Sequence, residues 1–173
     1  TGVDDCVPCG SGFYGSGDGI CRMCPPGRGG AALRASDINT ACAPCALGSY
    51  TPHWGSTSCL TCPMGTFCAD GYALSEYGLL QAAPLNGGIP MPVLCPVGTY
   101  NPYEGSTSPA DCVACPPGTY NHYPGGITNA SCIPCSPGTS SGEAASHCPP
   151  CRKSTAQSEY GAATCPDCPP GSY

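Results

Sequence analysis

Along most of the chain no hydrophobic spacing lasts long enough to draw a helix or a buried strand. Apolar rings arrive singly or in pairs, as at Phe13-Tyr14, Tyr50, Phe67, Tyr100 and Tyr120, with polar residues, Gly and Pro between them. A sustained period of 3.6 or of two residues would mark an amphipathic element. Here each stretch predicts only a turn, a short extended piece and another turn. The exception lies between Cys68 and Cys95, where Leu74, Leu79, Leu80, Leu85, Ile89, Val93 and Leu94 make the densest aliphatic run. Residues 73–83 of it predict a short helix that Pro84 stops. The run reads first as a satellite hydrophobic cluster under a long loop, and in its sharper form as a self-association patch.

What does repeat is written in cysteine. Aligning the chain on the second cysteine of each Cys-x-x-Cys pair gives "CGSGFY" at Cys9, "CPPGRG" at Cys24, "CALGSY" at Cys45, "CPMGTF" at Cys62, "CPVGTY" at Cys95, "CPPGTY" at Cys115, "CSPGTS" at Cys135, "CRKSTA" at Cys151 and "CPPGSY" at Cys168. Eight of the nine have Gly three residues on, which predicts a turn needing φ > 0 there, and Pro ahead of it presets φ. Six carry a ring two residues later, at Tyr14, Tyr50, Phe67, Tyr100, Tyr120 and Tyr173, placed to cover the neighbouring sulfur. The openings are 15, 21, 17, 33, 20, 20, 16 and 17 residues apart, too uneven for a solenoid with a continuous core. Separate small modules, each with its own cross-link, fit better. They divide into residues 1–62, an irregular long repeat at 63–95 and residues 96–173.

Composition sharpens this. With 18 Cys, 25 Gly and 22 Pro in 173 residues, and with Trp54, Phe13 and Phe67 as its only Trp and Phe, the chain cannot build an ordinary oily core. The predicted class is small and disulfide-rich: an elongated tandem array of short modules with little regular structure. Such cysteine density belongs to an oxidising compartment, so the expected location is extracellular or at the cell surface. A net charge of −6 without charge runs argues against nucleic acid or an anionic membrane as a partner, and no apolar run predicts membrane insertion. The chain opens at Thr1 inside a repeat and closes inside another, which reads as a stretch of a longer array or the unit of a head-to-tail polymer.

Paired Cys-x-x-Cys motifs also fit zinc or redox chemistry. Several four-thiolate zinc sites in an acidic chain with one lysine, Lys153, would lack compensating charge, and a redox couple would need a helix start in a βαβ unit. Neither context is present, so covalent staples are the favoured reading, with no metal and no cofactor expected. Spacing alone leaves two pairings open. One closes each loop on the next cysteine in order. The other interleaves first with first and second with second, as in Cys6 to Cys21 with Cys9 to Cys24, and Cys68 to Cys95. Cys62 is irregular, since Pro92 stands where its partner is due, and Cys68 is the substitute in the sequential order.

The openings "CPPGTY" and "CPVGTY", followed by "GSTS" ahead of the next cysteine, resemble the ephrin-receptor-like cysteine-rich repeats of many extracellular proteins and, more distantly, tumour-necrosis-factor-receptor modules. Similar arrays occur in large surface proteins of protists and algae, mastigoneme proteins among them. The resemblance implies the sequential pairing: Cys9 to Cys21, Cys24 to Cys42, Cys45 to Cys59, Cys62 to Cys68, Cys95 to Cys112, Cys115 to Cys132, Cys135 to Cys148 and Cys151 to Cys165. Cys6 and Cys168 are then left for partners outside the chain.

Catalytic chemistry is not expected. His53, His122 and His147 sit in separate predicted turns, and no nucleophile-base order or phosphate loop accompanies them. Asn129 opens the sequon "NAS" at a loop tip and is the candidate glycan acceptor. The expected function is structural: a stapled component of an extracellular filament, appendage or matrix that associates with copies of itself or sister chains. The alternative is a receptor or ligand-binding ectodomain gripping a protein partner, with residues 69–94 as the contact in either case.

Overall fold

The computed structural model describes residues 7–69 and 91–172, together with the backbone of 72–74 and 80–82. Contacts group the chain into two compact units, one drawn from Thr1–Cys62 and Cys68–Val93, the other from Pro63–Phe67 and Leu94–Tyr173.

In both units the module begins with the same tight turn. The residue four places after the opening cysteine donates its N–H to the carbonyl one place after it, as Arg28 does to Pro25 (3.2 Å) and Thr119 to Pro116 (3.1 Å). The residue between them at the third place is left-handed: Gly27 has φ 82° and Gly118 φ 84°. Proline before a left-handed glycine is the chemistry of a type II turn. In "CRKSTA" the place is held by Ser154, which adopts φ 68° without the help of glycine. The hydroxyl of the following residue locks the turn from inside, Thr66, Thr99 and Thr119 donating to the carbonyls of Pro63, Pro96 and Pro116 at 2.7 Å each.

The turns opened by Cys24, Cys45, Cys95 and Cys115 each lead into a two-residue strand that pairs antiparallel with the two residues between the next pair of cysteines. Tyr50 lies opposite Leu60, Tyr100 opposite Val113 and Tyr120 opposite Ile133. Side chains three apart on an extended strand point to opposite faces. The Cys-x-x-Cys spacing therefore turns its first cysteine back toward the loop it closes and its second toward the module it opens. In the later modules the pairing shrinks to the single bridges Thr139–Pro150 and Thr155–Asp167.

One α-helix, Ile38–Ala41, occurs among the described residues; Asp37 caps it, accepting the N–H groups of Asn39 and Thr40. The helix expected over 73–83 is not what forms. Tyr72–Leu74 pairs antiparallel with Leu80–Ala82, Ala73 opposite Gln81. A helix there would carry Gly78 in its interior, which costs about 1 kcal/mol, and four turns would be needed before such a helix held by itself.

The buried apolar residues among those described are Cys24, Cys42, Cys62, Cys68, Cys95, Cys115 and Cys135 with only Ala41, Phe67 and Val93 beside them. Sulfur is the core. Tyr14 and Ile38 pack against the Cys24–Cys42 bridge, so a ring from one module covers the cross-link of the next.

Candidate functional site

The bridges run in sequential order. Cys9 bonds Cys21, Cys24 bonds Cys42, Cys45 bonds Cys59 and Cys62 bonds Cys68. Cys95 bonds Cys112, Cys115 bonds Cys132, Cys135 bonds Cys148 and Cys151 bonds Cys165. Cys6 lies outside the described residues, and Cys168 is the free thiol among those described. In the chain-entropy model a loop of this size contributes about 3 kcal/mol, and the six-residue separation of Cys62 and Cys68 about 2.

Modules are joined by a second device that sequence reading missed. The glycine of each turn donates its N–H to the residue six places beyond the next opening cysteine: Gly12 to Gly30 (2.6 Å), Gly27 to Thr51 (2.8 Å), Gly98 to Asn121 (2.7 Å) and Gly118 to Ser141 (2.8 Å). That sixth residue donates onward into the following module, Asn101 to Gly126 (2.8 Å) and Asn121 to Ala145 (3.0 Å). A third bond runs from a left-handed residue late in one module to the carbonyl of the previous opening cysteine. Gly55 reaches Cys24, Gly125 reaches Cys95 and Gly161 reaches Cys135, all at 2.8 Å. These three bonds make one rung, and the rung recurs along each unit.

The sixth place is polar yet buried, at Thr51, Asn101, Asn121 and Ser141. Burial of such groups is tolerated only when they are bonded. Asn101 Nδ2 donates to the carbonyl of Thr66 at 2.9 Å and Asn121 Nδ2 to that of Thr99 at 3.0 Å; Ser141 Oγ donates to the carbonyl of Thr119 at 2.9 Å. The amide oxygens accept the N–H of Tyr103 and Tyr123. A signal was available: "TYN" stands after both Gly98 and Gly118. Cys68 occupies this same place after Cys62, which is why its bridge closes so short a loop.

Outside the ladder the surface is plain. Trp54, Tyr103, Tyr123 and Tyr160 are exposed, each eight or nine residues after its opening cysteine. Of the aliphatic run between Cys68 and Cys95, Val93 is buried and Leu94 exposed, while the side chains of Leu74, Leu79, Leu80, Leu85 and Ile89 lie outside the described residues. Asn129 is exposed at the start of a 3-10 turn, Asn129–Ser131, just before Cys132.

Charged groups pair locally. Asp18 accepts from Arg22 at 2.6 Å, and this hydrogen bond, with the N–H of Ile20 and the hydroxyl of Ser16, lowers its pKa to about 2. Arg22 is correspondingly raised. Asp37 is held below its ordinary value by the Thr40 hydroxyl and by the N–H groups of Asn39 and Thr40. The histidines remain apart: His122 stacks on Tyr120 with centroids 5.8 Å apart, and His147 meets Ser146. Among the described residues no three of His, Cys, Asp and Glu gather as a metal-binding group. No helix among them is long and apolar enough to cross a membrane.

Residues 30–76 match the family model described as tyrosine-protein kinase ephrin type A/B receptor-like. No curated protein matches the chain. The matched span runs from the module opened by Cys24 into the one opened by Cys62, and the same turn, bridge and rung recur on either side of it. Over that span the chain is similar to this ephrin-receptor-like cysteine-rich module, a module type that is not a catalytic domain and that suggests an extracellular setting.

Proposed function

We propose that this chain is a structural component of an extracellular filament, appendage or matrix, cross-linked internally and associating with copies of itself or with sister chains. The observation that carries the reading is the rung: backbone bonds of one pattern join module to module, and a pattern that uses main-chain groups can be extended by any chain of the same design. Sulfur in place of an oily core suits a protein that must survive outside the cell. An N-linked glycan on exposed Asn129 would stand clear of the ladder, and glycans belong to the same surface setting.

A second reading, a receptor or ligand-binding ectodomain, draws on the exposed rings of Trp54, Tyr103, Tyr123 and Tyr160, because Trp and Tyr are favoured at protein interfaces. Electron microscopy of native material separates the two. Fibres with an axial repeat support the structural role; a monodisperse ectodomain that stays monomeric at high concentration overturns it and favours the receptor.

A further inference from the structure

The module opened by Cys9 carries a broad groove. It is lined by the module's hairpin, in which Phe13–Gly15 pairs antiparallel with Cys21–Met23, and by the segment through Arg34 and Ala35. Backbone bonds hold that segment in place: Arg34 donates its N–H to the carbonyl of Cys9 at 3.2 Å, and the Ala35 carbonyl accepts that of Gly15 at 3.0 Å. The concavity measures about 1130 Å³, on the scale of a small-molecule site. Part of its lining is apolar and uncovered, Val7 being 85% and Ile20 59% exposed, with half-buried Phe13 alongside.

Arg34 is the odd member. It holds φ 59°, a left-handed conformation that residues other than glycine seldom adopt, and such outliers collect at binding sites. Of the three arginines in this unit, Arg22 is paired with Asp18 and Arg28 with the Cys42 carbonyl, whereas the exposed Arg34 guanidinium meets no partner among the described residues. A planar cation beside uncovered apolar surface suits a carboxylate that stands next to a ring.

We propose that the groove receives the Tyr103–Glu104 tip of a second copy of the chain, the ring lying on Phe13 and Ile20 and the carboxylate meeting Arg34. The inference rests on the self-association reading and gives it two surfaces. Charge selects the occupant. Glu104 is exposed without a partner among the described residues, and Tyr103 beside it is 67% exposed. In a chain of net charge −6 such a carboxylate has few cations to meet, and Arg34 is one that also offers apolar surface. The tip is preorganised: buried Asn101 accepts the N–H of Tyr103 at 3.0 Å and Ser106 Oγ donates to the Tyr103 carbonyl at 3.4 Å, so little freedom is lost on docking. Tyr160 also stands next to a carboxylate, Glu159, but its turn hangs on Gln157, which is only half-buried. The groove belongs to one unit and the tip to the other. A contact between two different faces of neighbouring copies repeats head to tail, and forms an open filament unless the rotation closes a ring.

The experiment uses the 173-residue chain with its bridges formed. Sedimentation velocity of the unaltered chain is expected to show oligomers that grow with concentration. Arg34→Glu and Glu104→Arg should each set like charges face to face and raise the concentration needed for assembly about tenfold or more. Mixed in equal amounts the two variants should assemble again, since each copy then offers the charge that the other lacks, and only a contact between copies can be rescued in this way. Both positions are exposed, so non-reducing peptide mapping should find all eight internal bridges in each variant. Glu159→Gln should change nothing. Should Arg34→Glu fail to fold, Ile20→Ser and Tyr103→Ala, both at exposed positions, are expected to weaken assembly to a similar degree. Oligomers indifferent to these substitutions, a mixture that stays dispersed, or assembly lost in Glu159→Gln would overturn this contact and leave the filament reading standing. A chain that stays monomeric at every concentration overturns both.

Discussion

The side chain of Asn121 donates to the main-chain carbonyl of Thr99 at 3.0 Å, across the boundary between two modules and out of reach of water. Its oxygen meanwhile accepts the N–H of Tyr123. Replacing it by Leu strands both partners, and each stranded buried group costs about 1–3 kcal/mol. Asn121→Leu should therefore lower stability by about 2–6 kcal/mol in guanidinium denaturation. Faster hydrogen exchange at Tyr123 should localise the loss, and unchanged exchange there would show that the bond contributes nothing.

The asparagine ladder also marks where sequence reading stops. The turn was legible because it depends on neighbours in sequence: Pro and Gly at fixed distance from Cys115 can do little else. The rung was not legible, because it joins residues such as Gly98 and Asn121 whose separation varies with module length and whose bonds use backbone that carries no signature. Nor was the pairing of Tyr72–Leu74 with Leu80–Ala82, where a dense run of leucines suggested a helix.

Steric room distinguishes two otherwise identical glycines. Gly118→Ala forces a methyl group onto the Gly161 carbonyl and should prevent folding or cost well over the strain of a left-handed alanine, which is about 1–2 kcal/mol. Gly138→Ala should cost only that strain. Thermal melts of the two variants check the contrast, and equal losses would contradict the packing.

Ser154 and Ala144 hold left-handed conformations, φ 68° and 55°, without being glycine. Ser154→Gly should stabilise the array by about 1 kcal/mol, reading as an upward shift in melting temperature. A drop would mean that its hydroxyl has a role that the geometry does not reveal.

Removing a bridge tests the core directly. Cys115→Ser with Cys132→Ser should cost about 3 kcal/mol, and Cys62→Ser with Cys68→Ser about 2, since the second loop spans only six residues. Reductant should unfold the protein, and a chelator should leave its circular dichroism unchanged. Stoichiometric zinc in the purified chain would refute the disulfide assignment.

Acid acts on the Asp18–Arg22 pair with a definite sign. The folded carboxyl titrates at about 2, below the ordinary 3.8, so its contribution is fully present above 3.8 and is lost as pH falls through 2. Because the pair is open to solvent the effect on stability should be small and sensitive to salt. Carbon-detected NMR titration should place Asp18 at its depressed value and return it toward 3.8 in Arg22→Gln.

The order of the bridges carries a consequence for how such a chain is made. From Cys9 to Cys165 every described cysteine bonds to its immediate neighbour along the sequence, never across another pair. A polypeptide emerging into an oxidising lumen can thus be sealed stepwise behind its own growing end. Between Cys9 and Cys165 no thiol waits for a distant mate, and one mistimed closure damages a single link and leaves those already shut intact.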